Sequence, residues 1–122
     1  MFGKRMAINK LALAAVFLIW AAGTAHAQSQ HPCAADAIAK AQLILKLHYG
    51  ARPGETIENL SIGGSVKTLA PVKALKGNGK LDVLEVWGSI YKADYRMRFI
   101  YARIKNTCAL MGQEILEASN PY

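Results

Sequence analysis

The chain has 122 residues, of which 15 are basic and 8 acidic, with two cysteines and a formal net charge of +7. That length leaves room for one small domain and excludes a large multidomain enzyme. Lys4, Arg5 and Lys10 supply three of the positive charges, so residues 28–122 keep 12 basic and 8 acidic residues, a net +4. A dedicated nucleic-acid-binding domain is usually more basic than this.

The first residues have the pattern of a secretory signal peptide. A positive segment precedes the apolar run Leu11–Ala22, and the small residues of AHA at 25–27 match a cleavage site. We predict a cleaved signal peptide at 1–27 and a single mature domain at 28–122, periplasmic or secreted. The alternative is an uncleaved membrane anchor, but the apolar run is shorter than the roughly 20 residues that a spanning helix needs.

Both cysteines, Cys33 and Cys108, lie in the predicted mature chain. An even number of cysteines in an oxidising compartment favours one structural disulfide. A catalytic thiol or a metal-binding pair is the alternative, but the chain lacks a C-x-x-C motif. We therefore expect a disulfide between Cys33 and Cys108, and neither a metal ion nor a cofactor.

One segment has the periodicity of an amphipathic helix. Pro32 is suited to its first position and Gly50 to the position just past its end. The predicted apolar stripe consists of Ala34, Ile38, Ala41 and Leu45, widened by Leu43 and Leu47.

After the helix the apolar period changes from 3.6 to 2, which indicates strands. The predicted strand segments are 57–62, 66–75, 81–91, 95–104 and 108–117. Turns are expected at Gly77-Asn78-Gly79 and around residues 92–94, and Pro71 marks its strand as an edge strand or as bulged.

Short connections between consecutive strands predict an antiparallel meander. The expected fold is therefore α+β, with one N-terminal helix packed on one face of a four- to five-stranded sheet. This order of elements resembles that of cystatin-type folds in topology alone, and such a likeness of fold carries no function.

The hairpin formed by the third and fourth of these segments has two competing registers. Pairing Tyr91 with Tyr95 mixes charged and bulky apolar side chains on both faces. Pairing Tyr91 with Arg96 separates them, so this register is the one predicted. The predicted helix-side residues are Leu84, Val86, Gly88, Ile90, Met97, Phe99 and Tyr101.

The flanking strands extend the same pattern. A three-residue loop at Gly77-Asn78-Gly79 places Val66, Ala70 and Val72 on the helix side. The same loop places Lys67 and Lys73 on the outer side. A two-residue loop after Ile104 places Cys108, Leu110 and Gly112 on the helix side, and Met111, Gln113 and Ile115 outside. Glu114 then falls on the core face, where it would need a marginal position or a basic partner.

The face away from the helix is the candidate binding site. Its predicted members are Trp87, Tyr91, Arg96, Arg98, Lys67, Lys73, Ile100 and Met111. Large apolar groups among cations on one exposed face indicate a surface that something covers.

Three interpretations of this face remain open. It is a solvated surface on which arginines shelter the aromatic rings, or a protein interface with itself or another envelope protein. The third interpretation is a site for an anionic ligand such as a lipid head group, an acidic polymer or nucleic acid, of which nucleic acid is the least favoured.

No catalytic constellation emerges from the sequence. His31 and His48 flank the helix at a separation of roughly 25 Å, too far apart to share a proton or a metal ion, and His31 is expected in a mobile N-terminal segment. We predict a non-catalytic interaction module, with an inhibitor of a hydrolase as a special case. The alternative function is a structural or stress-stability envelope domain without a specific ligand.

Overall fold

A computed structural model describes residues 30–122, and the predicted signal peptide at 1–27 lies outside the described residues. Within them the chain forms one helix followed by four antiparallel strands in the sheet order β1-β2-β3-β4. The elements are α1 (Ala34–Tyr49), β1 (Leu60–Lys73), β2 (Lys80–Ile90), β3 (Ala93–Ile104) and β4 (Thr107–Glu117). The predicted α+β meander is confirmed, and the first two predicted strand segments are parts of one strand, β1.

The helix packs on the sheet through small side chains. Its buried residues are Ala34, Ala37, Ala41 and Leu45. The alanines let the helix axis approach the sheet closely, while Gly50 ends the helix in a left-handed conformation with φ 95°. Leu43 and Leu47 are exposed, so the prediction that they widen the stripe is wrong. Each residue advances about 100° around a helix, which turns Leu43 by about 200° from Ala41.

Two contacts fix the start of α1 to the sheet. The predicted disulfide is present and links Cys33, just before the helix, to Cys108 on β4. His31 donates from Nε2 to Oδ2 of Asp82 on β2 at 2.9 Å, and its Nδ1 accepts the backbone N–H of Cys33. The expectation that His31 lies in a mobile segment is therefore wrong, because both ring nitrogens are held.

The hairpin of β2 and β3 turns at Tyr91 and Lys92, with Trp87 opposite Arg96 and Ile90 opposite Ala93. The predicted pairing of Tyr91 with Arg96 is wrong, since the partner of Arg96 lies four residues earlier on β2. Four is an even number, so each side chain keeps its predicted face.

The core lies between α1 and the near face of the sheet. Its largest fully buried side chains are Tyr101, Phe99, Leu45, Leu84, Met97 and Val86. Gly88 lies on the same face, and a Cβ there would meet the Ser61 carbonyl oxygen at 3.0 Å and Met97 Cε at 3.1 Å. The close approach of β1 to β2 therefore favours glycine at this position.

A bulge in each edge strand changes the predicted faces. In β1 the register shifts between Leu69 and Val72, around Pro71. Pro71 was predicted to mark an edge strand or a bulged one, and β1 is both. One extra residue there places Val72 on the side away from α1 and pairs Lys73 with Lys80 at the strand end. The predicted faces of both residues are therefore wrong.

The second bulge lies in β4, where Ile100 pairs with Gly112 but Tyr101 pairs with Leu110. Met111 is the extra residue. Beyond it Glu114 lies opposite Arg98, on the face away from α1, and Ile115 packs against the core. The predicted core position of Glu114 and the predicted outward position of Ile115 are both wrong for this reason.

A buried hydroxyl links the helix to the centre of the sheet. Tyr101 is fully buried and its hydroxyl donates to Oδ2 of Asp36 at 2.7 Å, while Lys40 binds the other carboxylate oxygen at 3.2 Å. The hydrogen bond from Tyr101 lowers the pKa of Asp36, and burial raises the pKa of Tyr101.

None of the helical segments between residues 30 and 122 has the length and apolarity needed to cross a membrane.

Reduction of the disulfide is expected to destabilise the fold strongly. The bridge spans 75 residues, which in the chain-entropy model stabilises the folded state by roughly 4 kcal/mol. In a domain of this size that corresponds to a fall in melting temperature of roughly 15 °C or more. Thermal unfolding followed by circular dichroism with and without reductant tests this, and a Cys33→Ser/Cys108→Ser variant should not respond to reductant. An unchanged melting temperature in the wild type would contradict the prediction.

Substitution Tyr101→Phe is expected to lower the free energy of unfolding by about 1.5–3 kcal/mol at neutral pH, because it removes one hydrogen bond to a charged acceptor. The folded-state pKa of Asp36 is lowered, so its contribution is complete above the ordinary value of 3.8 and is lost as the pH falls through the lowered pKa. Urea titrations at several pH values should show the difference between the two proteins shrinking in acid. A difference that stayed constant with pH would contradict this account.

Candidate functional site

The sheet face away from α1 is called the open face below. Four charged residues of alternating sign lie side by side across its strands. They form the ionic row: Lys67 on β1, Glu85 on β2, Arg98 on β3 and Glu114 on β4. Each member lies directly opposite the next, so every charge has an oppositely charged neighbour across the strand pair.

Glu85 is the centre of the ionic row. It is only 8% exposed, and its two carboxylate oxygens accept hydrogen bonds from Trp87 Nε1 at 3.0 Å and from Arg98 Nε at 2.9 Å. Burial alone would raise the pKa of Glu85, but these two hydrogen bonds and the charges of Arg98 and Lys67 outweigh it, so the pKa lies below its usual value. The carboxylate therefore stays charged and holds Trp87 and Arg98 in place.

A second ion pair lies beside the first. Nη2 of Arg96 binds Oε1 of Glu114 at 3.0 Å, across β3 and β4. The pair is partly exposed, but Nε of Arg96 is buried and makes no hydrogen bond to any described residue. Both arginines of the open face are thus already bound to carboxylates of the same chain.

Apolar side chains flank the ionic row on both sides. Along one side Trp87, Arg96 and Leu116 lie next to each other, with Trp87 45% and Leu116 55% exposed. The other side is called the apolar end and consists of Leu69, Val72, Leu81, Val83, Ile100, Ala102 and Ala109. Met111, in the bulge of β4 next to this end, is 60% exposed.

The structure brings most of the predicted site residues together, namely Trp87, Arg96, Arg98, Lys67, Ile100 and the adjacent Met111. Two others lie elsewhere. Tyr91 occupies the β2–β3 turn with φ 58° and lines a cavity of about 540 Å³ together with Tyr49 and Ile57. Lys73 lies at the end of β1 opposite Lys80, away from the ionic row.

Sequence reasoning missed the two carboxylates as parts of the site. Glu85 was within reach, because strict alternation in β2 places it on the same face as Trp87. Glu114 was not, because its face depends on the bulge at Met111. The same holds for Leu116, whose neighbour across the strand pair is Arg96.

The remaining chemistry-bearing side chains have structural contacts. The ring of His48 packs edge-to-face on Tyr95, with 5.6 Å between centroids, and His31 binds Asp82. No group of three or more potential ligands that could hold a metal ion occurs among residues 30–122.

The chain matches no protein-family model, no curated protein and no solved structure. Function is therefore inferred from the open face and its chemistry.

Substitution Glu85→Gln is expected to lower the free energy of unfolding by about 1–3 kcal/mol at neutral pH, because the hydrogen bonds from Arg98 and Trp87 then meet an uncharged group. The pKa of Glu85 is lowered in the folded state, so its stabilisation is present above the usual value of 4.5 and disappears as the pH falls through the lowered pKa. The free energies of unfolding of the wild type and the variant should therefore become equal in acid.

Urea unfolding at about pH 7 and about pH 2 measures both effects. Glu114→Gln is the matched control, because it breaks the more exposed pair with Arg96 and should cost less than about 1 kcal/mol. Equal losses in the two variants would mean that Glu85 does not organise the open face.

Proposed function

We propose that the protein is an exported, non-catalytic interaction module that binds a protein partner through its open face. The observation that carries this proposal is the exposure of Trp87, Leu116 and Met111 around a row of internally paired charges. Tryptophan, methionine and arginine are enriched in the centres of protein interfaces, where apolar area supplies affinity and paired charges supply specificity.

Charge pairing favours a protein over an anionic polymer or lipid head group. Arg98 and Arg96 are already bound by Glu85 and Glu114, so a phosphate or sulfate would have to compete with two carboxylates of the same chain. A protein surface can instead add opposite charges beside each existing pair. Lys67 adds one positive charge to this face, which is too little for a polyanion site.

The disulfide supports export. Cys33 and Cys108 are bridged, and such bridges persist in oxidising compartments such as the periplasm or the extracellular space. The predicted signal peptide agrees with this location.

The contacts of the histidines support a non-catalytic role. Both ring nitrogens of His31 are engaged, one by Asp82 and one by the backbone of Cys33, and His48 packs against Tyr95 at the other end of α1. Neither ring lies on the open face.

Capture of partners by the tagged, oxidised protein tests the proposal. We expect Trp87→Ala/Leu116→Ala to lose a partner that the wild type binds from envelope extract or from added untagged copies of the same chain. Leu43→Ala/Leu47→Ala is the matched control, because it removes exposed apolar groups from the outer side of α1. The control should retain the partner.

Salt separates the classes of partner. A protein held mainly by apolar contacts should remain bound at about 0.5 M salt, where exposed charges are screened. Release by salt alone would indicate an anionic ligand. Retention of every bound protein by the Trp87→Ala/Leu116→Ala variant would contradict a role for the open face.

A further inference from the structure

We infer that the partner of the open face is a second copy of this chain, packed face to face about a two-fold axis that runs parallel to the strands between β2 and β3. This inference rests on the proposed function and names the partner for it. It follows from the order of charges and apolar groups across the four strands.

Such an axis reverses the order of the strands in the second copy but keeps their direction along the axis. β1 of one copy then lies over β4 of the other, and β2 lies over β3. Sheets that pack face to face with roughly aligned strands are the common arrangement of β-sandwiches. Each residue therefore faces a residue of the second copy in the same cross-strand row. That residue lies on β4 for a residue of β1, and on β3 for a residue of β2.

The ionic row is self-complementary under this operation. Its sequence of signs is plus, minus, plus, minus from β1 to β4. Reversal places Lys67 over Glu114 of the second copy and Glu85 over Arg98 of the second copy. Every charge of the row thus meets the opposite sign, and the central four residues form a square of alternating charges around the axis.

The neighbouring rows match as well. In the row of Trp87, Arg96 and Leu116, reversal places the indole of Trp87 over the guanidinium of Arg96 in the second copy, a favourable cation–π arrangement. In the next row on the other side, Val83 meets Ile100 of the second copy and Leu69 meets Gly112, which leaves room for the larger side chain. In this second row apolar positions therefore face apolar positions.

The other in-plane axis, perpendicular to the strands, gives the opposite result. If it passed through the ionic row, Lys67 would face Lys67 and Glu85 would face Glu85. If it passed between the ionic row and the row of Trp87, Arg98 would face Arg96 and Glu85 would face Trp87. If it passed through the row of Trp87, Arg98 would face Asp94 but Glu85 would face Ser89. If it passed on the other side, the row would face the apolar end. Like charges at close range cost binding free energy, so the arrangement of signs selects the axis parallel to the strands.

The area of the open face suits such a dimer. Four strands of 11 to 14 residues span about 19 Å by about 36 Å, or roughly 700 Å² per copy. A standard specific interface buries roughly 800 Å² per partner. Apolar contacts on both sides of the ionic row supply affinity, whereas the row itself fixes orientation, since buried ion pairs add little net affinity.

Complementary charge reversals test the axis. Lys67→Glu alone brings a new carboxylate over Glu114 of the second copy, and Glu114→Lys alone brings a new ammonium group over Lys67 of the second copy. Each variant is expected to dimerise at least about tenfold more weakly than the wild type, because two like-charge pairs replace two opposite pairs. An equimolar mixture of the two variants should recover dimers, since both edge pairs then again combine opposite signs.

Sedimentation equilibrium of the oxidised protein from about 1 µM to about 500 µM gives the dissociation constants. Lys73→Glu is the matched control, because it makes the same change of charge at the end of β1 away from the ionic row, and it should dimerise as the wild type does. Thermal melts confirm that each variant is folded. If mixing the two variants restores dimers, a folding defect cannot be the reason that each variant alone dimerises weakly.

The outcomes separate this inference from the function on which it rests. A wild type that stays monomeric over the whole range, or a mixture that does not recover dimers, overturns the inference. The proposed function fails separately, when Trp87→Ala/Leu116→Ala keeps every bound protein. A monomeric wild type whose face variant still loses a captured protein would overturn the inference and leave the proposed function standing.

Discussion

The helix α1 determines which side of the sheet is buried and which side is left open. Its 16 residues make a rod about 24 Å long, which covers one side of the sheet. On that side alanines bring the helix close to Leu84, Met97 and Phe99, and the disulfide and the bond between Asp36 and Tyr101 hold it there. Nothing else within residues 30–122 lies over the other side, so that side must satisfy its own polar groups.

Glu85 is the buried polar group on the open face, and its hydrogen-bond partners lie on the same face. A buried carboxylate is costly unless it is bonded and paired, and Glu85 meets that condition with Trp87 on one oxygen and Arg98 on the other. The same contacts orient an indole and a guanidinium toward solvent in fixed positions. A surface whose large side chains are already ordered loses less conformational entropy on binding, which is what an interaction site needs.

Alternation alone predicted much of this arrangement. The period of two in β2 and β3 places Trp87, Arg96 and Arg98 on the open face, and a register error of four residues leaves that result unchanged. The edge strands were not predictable in the same way, because one extra residue inverts every later face. The bulges at Pro71 and Met111 therefore account for the errors at Lys73 and Glu114, and the ionic row becomes visible only once the bulge at Met111 is known.

Trp87 itself offers the most direct test that the open face is covered in solution. In protein without residues 1–27 it is the one remaining tryptophan of the two in the chain, so its fluorescence reports on this face alone. Quenching by acrylamide should weaken as the concentration of the oxidised protein rises, while the emission shifts to shorter wavelength. Quenching of the purified protein that is strong and independent of its concentration would contradict the account.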